Sequence, residues 1–174
     1  RYTVGAANNA FIQTFQGCRN IQEIPENLFA YAVGVSSNAF NNTFAGTGIK
    51  SIPANLFRNC TGVLAGFRGT FRDCSELVAI PADLFKFSAG TGTNLTFASF
   101  TAVFENCTSL TTIPAGLFEF NRASFTLFDK AFAGCTGLTS YPAGLLRYLQ
   151  PIYYRDVFFG SGFDSAAIDQ MLID

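Results

Sequence analysis

The stretch from Phe100 to Phe118, FTAVFENCTSLTTIPAGLF, recurs along the chain in near-copies, and this recurrence restricts the fold more than any other feature. With Pro25, Pro53, Pro81, Pro114 and Pro142 set in line, the intervals between them are 28, 28, 33 and 28 residues. Each proline closes one phrase, Phe-x-x-x-Phe-x-x-Cys-x-x-Leu-x-x-Ile-Pro. Its copies run from Phe11 to Pro25, Phe40 to Pro53, Phe67 to Pro81, Phe100 to Pro114 and Phe128 to Pro142, and a Leu-Phe or Leu-Leu pair follows each proline. A sixth copy, Tyr154 to Phe163, starts and stops early. Fixed periods of about 20 to 50 residues belong to chains whose units are too small to bury their apolar side alone, so each must stack on its neighbours.

Within a copy the two aromatics are four residues apart, as in Phe100 and Phe104 or Phe11 and Phe15, a spacing that puts both rings on one face of a single helical turn. Leu110-Thr111-Thr112-Ile113-Pro114 and its counterparts read as a bend into a very short strand. The proline has no amide donor and suits the first helical position, so Pro114-Ala115-Gly116-Leu117-Phe118 is expected to open another short helical turn. After the truncated copy, Asp164 can cap a helix that places Ile168, Met171 and Leu172 at i, i+3 and i+4. The expectation is a lid over the last, exposed repeat.

The phrase resembles the BspA-like, or Treponema-type, leucine-rich repeats of bacterial surface proteins, in which an aromatic-Phe-x-x-Cys-x-x-Leu-x-x-Ile run leads to a proline. The resemblance spans Phe11 to about Phe163, with a longer 28-residue period and a core richer in Phe. It implies an α/β repeat architecture: a leucine-rich-repeat-like solenoid of about five to six repeats with short strands and short helical turns, capped by a C-terminal helix. The whole chain, 1–174, would be one such domain, with repeats near 11–39, 40–66, 67–99, 100–127 and 128–153, a partial repeat 154–163 and a capping helix 164–174. Proteins of this kind are typically adhesins or other exposed binding proteins, so the resemblance implies an extracellular, cell-surface or phage-virion location.

Composition narrows the function. Charged residues are only 13% of the chain and the net charge is −1 without a long run of one sign, which argues against nucleic acid or an anionic membrane as partner. No apolar run approaches the length of a membrane span. The start, Arg1-Tyr2-Thr3-Val4, has neither an initiator Met nor a signal-peptide pattern and reads as a processed product or a piece of a larger protein.

The chain has no histidine, which removes the usual base near neutral pH and the commonest zinc ligand, and no Ser or Cys stands in a nucleophile motif. Glu105, Asp73, Asp164, Asp169 and Asp174 are the best-placed carboxylates, each where a solvated turn or a cap would put it. No enzyme activity, cofactor or metal is expected. Cys18, Cys74, Cys107 and Cys135 fall in one slot of the phrase, where the second copy has Thr47. This alternation fits a small inward side chain donating to a turn carbonyl, and so buried free thiols. Cys60 lies outside the slot and reads as packing.

Two functions remain. The first is a non-enzymatic binding or adhesion module of a bacterial or phage surface protein, contacting a protein or glycan through positions that vary within the constant frame: Gln22 and Glu23, Lys50 and Ser51, Val78 and Ala79, Thr111 and Thr112, Thr139 and Ser140. The insertion that lengthens the third interval, around Ser88-Ala89-Gly90-Thr91-Gly92-Thr93-Asn94, adds a loop, and insertions in stacked repeats often mark the binding face. Candidate contacts are therefore Val78, Thr111, Thr112, Ser88, Thr91, Thr93 and Asn94. The second is a structural spacer or assembly domain within a larger surface or phage tail protein.

Overall fold

The computed structural model describes residues 9–32, 38–60, 66–86, 98–120, 126–147 and 151–173, without the side chains of 98, 151, 152 and 170–173. Regular elements are few among them. Three short strands, β1 (Ala98–Ser99), β2 (Thr126–Leu127) and β3 (Pro151–Tyr153), pair in parallel in that order, and a single helix, α1, spans Ser165–Ile173. The strands lie just before the first aromatic of the last three copies. The stretch from Leu to Ile in each phrase, where a strand was expected, carries none among the described residues.

What organises the chain is a ladder between copies. The amides of the first aromatic and of the residues two, four and six positions later each donate to a carbonyl in the next copy. For the first junction these are Phe11 to Ala39, Gln13 to Asn41, Phe15 to Thr43 and Gly17 to Ala45. The same four bonds recur at all five junctions, at 2.7 to 3.2 Å, ending with Phe128 to Tyr153, Lys130 to Arg155, Phe132 to Val157 and Gly134 to Phe159. The longer third interval leaves the ladder unbroken, since Phe67, Gly69, Phe71 and Asp73 still pair with Ser99, Thr101, Val103 and Glu105.

The intervening amides fold back within their own copy, Thr14 to Phe11, Gln16 to Gln13 and Cys18 to Phe15, closing overlapping four-residue turns. This replaces the expected helical turn. An α-helix needs every amide for its own carbonyl four residues back, and here alternate amides are taken by the neighbouring copy. The turns require left-handed backbone at fixed places. Two positions after the first aromatic, Gln13, Asn42, Gly69, Ala102, Lys130 and Asp156 all have φ between 53° and 60°. Six positions after it, Gly17, Gly46, Asp73, Asn106, Gly134 and Gly160 have φ between 59° and 75°. The second set is the Gly, Asn and Asp choice that left-handed backbone favours; Ala102 and Lys130 in the first show the ladder overriding local preference.

Residues four apart in such a string of turns still face the same way, so the rings form columns. Phe15, Phe44, Phe71, Phe104, Phe132 and Phe158 stack at 5.3 to 5.7 Å with planes within 15° of one another. Phe11, Phe40, Phe67 and Phe100 form a second column at 5.4 to 5.8 Å. A third, Phe29, Phe57, Phe85 and Phe118, comes from the pair after each proline and meets the second at a tilt. Phe128 breaks the second column, lying 6.4 Å from Phe100 at 76°. Its own copy has Leu146 in place of the third-column Phe, and the ring turns edge-on to Phe118 instead.

The segments after the prolines also close turns, not α-helix: Leu28 donates to Pro25, Leu56 to Pro53, Leu84 to Pro81, Leu117 to Pro114 and Leu145 to Pro142, each bond spanning three residues. At the far end Asp164 caps α1 by accepting from the Ala167 amide at 2.9 Å. Ala167 is buried against the core, whereas Ile168 is 44% exposed; the side chains of Met171 and Leu172 lie outside the described residues.

Candidate functional site

The segment from Leu to Ile of each phrase sits between two inward positions, buried in all copies but for the half-buried Ile21, and turns the two residues between them outward. Leu77 and Ile80, or Leu110 and Ile113, are in the core, while Val78, Ala79, Thr111 and Thr112 are exposed. Gln22, Glu23, Lys50, Ser51, Thr139 and Ser140 are exposed in the same way. Single hydrogen bonds hold four of these segments in register: the Lys50 amide donates to the Gln22 carbonyl, Val78 to Lys50 and Thr111 to Val78, at 3.1 to 3.3 Å. These bonds point opposite to those of the aromatic ladder, from the later copy to the earlier one.

Val78 and Thr111 are therefore neighbours across adjacent copies, with Thr112 beside them, and Val78 is 48% exposed despite being apolar. Ser88, Thr91, Thr93 and Asn94 lie outside the described residues. Among the described residues one ion pair touches this face, Lys50 to Glu76 at 3.9 Å, both side chains more than half exposed, so it adds little to stability.

The sequence reading missed two polar grooves, both built in part from the left-handed positions. One, about 290 Å³, is lined by Arg19, Gly46, Thr47, Gly48, Asp73, Ser75 and Glu76. The other, about 350 Å³, includes Glu105, Asn106, Lys130 and Asp156. The Gly/Asn/Asp choice six positions after the aromatic could have revealed them, but the lining comes from separate copies. Asp73 and Glu105, considered above as possible acid or base groups, line these grooves. Asp73 accepts from the Asn106 amide group at 2.8 Å and lies 3.2 Å from the Arg72 Nε. Asp169 is exposed on α1, Asp164 is the helix cap, and Asp174 lies outside the described residues.

The cysteine slot faces the core. All five cysteines are free thiols, and Cys74, Cys107 and Cys135 are buried, reaching back to the copy before them and donating to the carbonyls of Phe44, Phe71 and Phe104 at 3.0 to 3.1 Å. Thr47 fills the slot with its hydroxyl on the Phe44 carbonyl, 2.8 Å, and 3.4 Å from the Cys74 sulfur. Burial pushes the Cys74 thiol up to about 11 and Cys60 and Cys135 up to about 12, and raises Cys107 as well. Such thiols are poor nucleophiles and poor metal ligands. Cys18 departs from the expected buried pattern: it is exposed, with no earlier copy beneath it among the described residues. Among the described residues no group of three or more Cys, Asp or Glu is placed to hold a metal ion, and no helix is long and apolar enough to cross a membrane. Comparison of the chain with protein-family models and with curated proteins finds no match.

Proposed function

We propose that the chain is a leucine-rich-repeat-like solenoid acting as a non-enzymatic binding or adhesion module, displayed outside the cell or on a phage and contacting a protein or glycan. The observation that carries this reading is the in-register row Gln22, Lys50, Val78 and Thr111, hydrogen-bonded through the backbone with its side chains turned out. A frame held constant by packing, presenting varied side chains at fixed intervals, is the way stacked repeats recognise extended partners. Val78, Thr111 and Thr112 centre the surface, and Ser88, Thr91, Thr93 and Asn94 of the inserted segment remain candidate contacts from the sequence. With so little charge there, contacts come from hydroxyls, amides and backbone, so binding depends weakly on salt and gains strength from many displayed copies.

A glycan and protein array probed with the isolated chain tests this reading. Binding that is lost in a Val78→Asp, Thr111→Asp double variant of unchanged thermal midpoint supports it. Deleting Ala89 to Thr93, which restores a 28-residue interval, should leave the fold intact and weaken the same binding. The continuity of the ladder through all five junctions favours a second reading, a spacer or assembly domain, and a chain that binds nothing on the array leaves that reading ahead.

A further inference from the structure

The exposed face between the cysteine slot and the proline changes character along the stack. In the first three copies it includes Gln22, Glu23, Lys50 and Glu76, whereas the next two turn out hydroxyls and no charge: Ser109, Thr111 and Thr112, then Thr136, Thr139 and Ser140. All six are exposed, and their hydroxyls make no hydrogen bond to any described residue. Each hydroxyl can donate and accept, so the patch is polar in both senses and neutral.

The backbone adds to the patch at its centre. The row of bonds that joins Gln22, Lys50, Val78 and Thr111 stops there, and the Thr111 carbonyl and Thr139 amide have no partner among the described residues. Two residues earlier the copies are pressed together. A Cβ on Gly137 would lie 2.7 Å from the Thr108 carbonyl oxygen and 2.8 Å from that of Leu110, so glycine alone fits this approach. Beyond it the row opens, leaving one main-chain acceptor and one main-chain donor beside the hydroxyls of Thr111, Thr112, Thr139 and Ser140.

Spacing selects what can lie there. The ring columns set successive copies 5.3 to 5.8 Å apart. An extended peptide advances about 6.4 to 6.8 Å for each pair of residues, so its same-facing side chains slip by about 1 Å at every copy. An α-helix turns once in about 5.4 Å and keeps step, but helices dock through an apolar stripe and this patch offers hydroxyls. A β-1,4-linked sugar chain is flat and extended, advances by nearly one copy per sugar, and carries neutral hydroxyls along both edges. We propose that the patch binds a neutral β-1,4-linked polysaccharide laid along the stack, one sugar to a copy. Sugar hydroxyls bridge the Thr111 carbonyl, the Thr139 amide and the side chains around them, and Val78, 48% exposed at the head of the patch, packs on the apolar face of a ring. This rests on the binding reading above and narrows its partner to one class.

Calorimetric titration of the 174-residue chain with cellohexaose, β-1,4-mannohexaose and chitohexaose, and with α-1,4-linked maltohexaose, tests the proposal. At least one of the three β-linked hexasaccharides should bind, more tightly than its own disaccharide and with little dependence on salt, while maltohexaose, which coils, should not. Thr111→Val and Thr139→Val each remove a hydroxyl at an exposed position with little change of shape, and each should weaken binding about 2- to 10-fold at an unchanged thermal midpoint. The proposal is overturned if no β-linked hexasaccharide binds, if maltohexaose binds as well as they do, or if the folded double variant binds as the parent does. Should the valine variants fail to fold, the comparison of linkages on the wild type decides. A protein partner found on the array and lost in Val78→Asp, Thr111→Asp, with no hexasaccharide bound, keeps the binding reading and removes the polysaccharide; a chain that binds nothing removes both.

Discussion

The aromatic half of each copy and the half that runs from Leu to Ile meet the next copy in different ways. The aromatic half uses four hydrogen bonds per junction, columns of buried rings and left-handed backbone at two fixed places. The other half contributes single bonds between the copies from Gln22 to Thr111 and leaves its intervening side chains in solvent. One half holds the stack together and so cannot vary. The other is held in register while its side chains remain free to change, which is the condition for a recognition surface.

The comparison breaks if the two halves prove equally important for stability. Phe104→Ala removes a fully buried ring from the middle of a column and should cost about 3 to 5 kcal/mol by chemical denaturation. Thr111→Ala, on the exposed face, should change stability by no more than about 0.5 kcal/mol. A comparable loss at Thr111 would mean that the face carries structure after all.

Alkali probes the buried thiols. Their folded values lie above the ordinary value of 9.0, so below pH 9 both states keep the proton and stability is unaffected. Above it the unfolded chain ionises first, and stability falls by about 1.4 kcal/mol per thiol per pH unit until pH reaches 11 to 12, where the folded thiols also ionise. Thermal midpoints measured from pH 8 to 11 should show this decline. They should decline less steeply in a variant with Cys74, Cys107 and Cys135 changed to Thr, which keeps only the Cys60 contribution, since Thr47 already fits the slot.

Two glycines separate backbone strain from crowding. Gly134 has φ 71°, and a Cβ there would strike the Asn106 side chain of the copy before. Gly144 has φ 76° on the proline side, and a Cβ there would meet nothing within 4 Å. Gly144→Ala should cost about 1 to 2 kcal/mol, from the left-handed backbone alone. Gly134→Ala should exceed it, and equal losses would show that the aromatic ladder has slack at that edge.

The sequence pattern shows which side of the chain is buried, because residues four apart face the same way in a helix and in a string of overlapping turns. It does not distinguish the two. That choice depends on where alternate amides go, and their acceptors lie some 25 to 32 residues away. Gly17, Gly46, Asp73, Asn106, Gly134 and Gly160 do carry a turn signature at a constant position, legible from turn chemistry alone. Gln13, Ala102 and Lys130 carry none, since their left-handed backbone is imposed by the neighbouring copy. The exposed positions at Val78, Thr111 and Thr112 followed directly from the flanking Leu and Ile. Cys18 has the same local pattern as its counterparts, but its exposure depends on what packs beneath the slot, which no local pattern encodes.

The nearest-neighbour ladder also governs how the molecule answers to force. Tension applied along the stack loads its outermost described copies first, and each meets a single neighbour through one four-bond ladder set, a few further hydrogen bonds and the rings of that neighbour. Copies then peel off singly, and every 28-residue interval paid out lengthens the chain by roughly 95 Å, at about 3.4 Å per residue. The 33-residue interval gives one longer step. A tether built this way yields gradually, shedding load copy by copy while the remaining turns stay stacked.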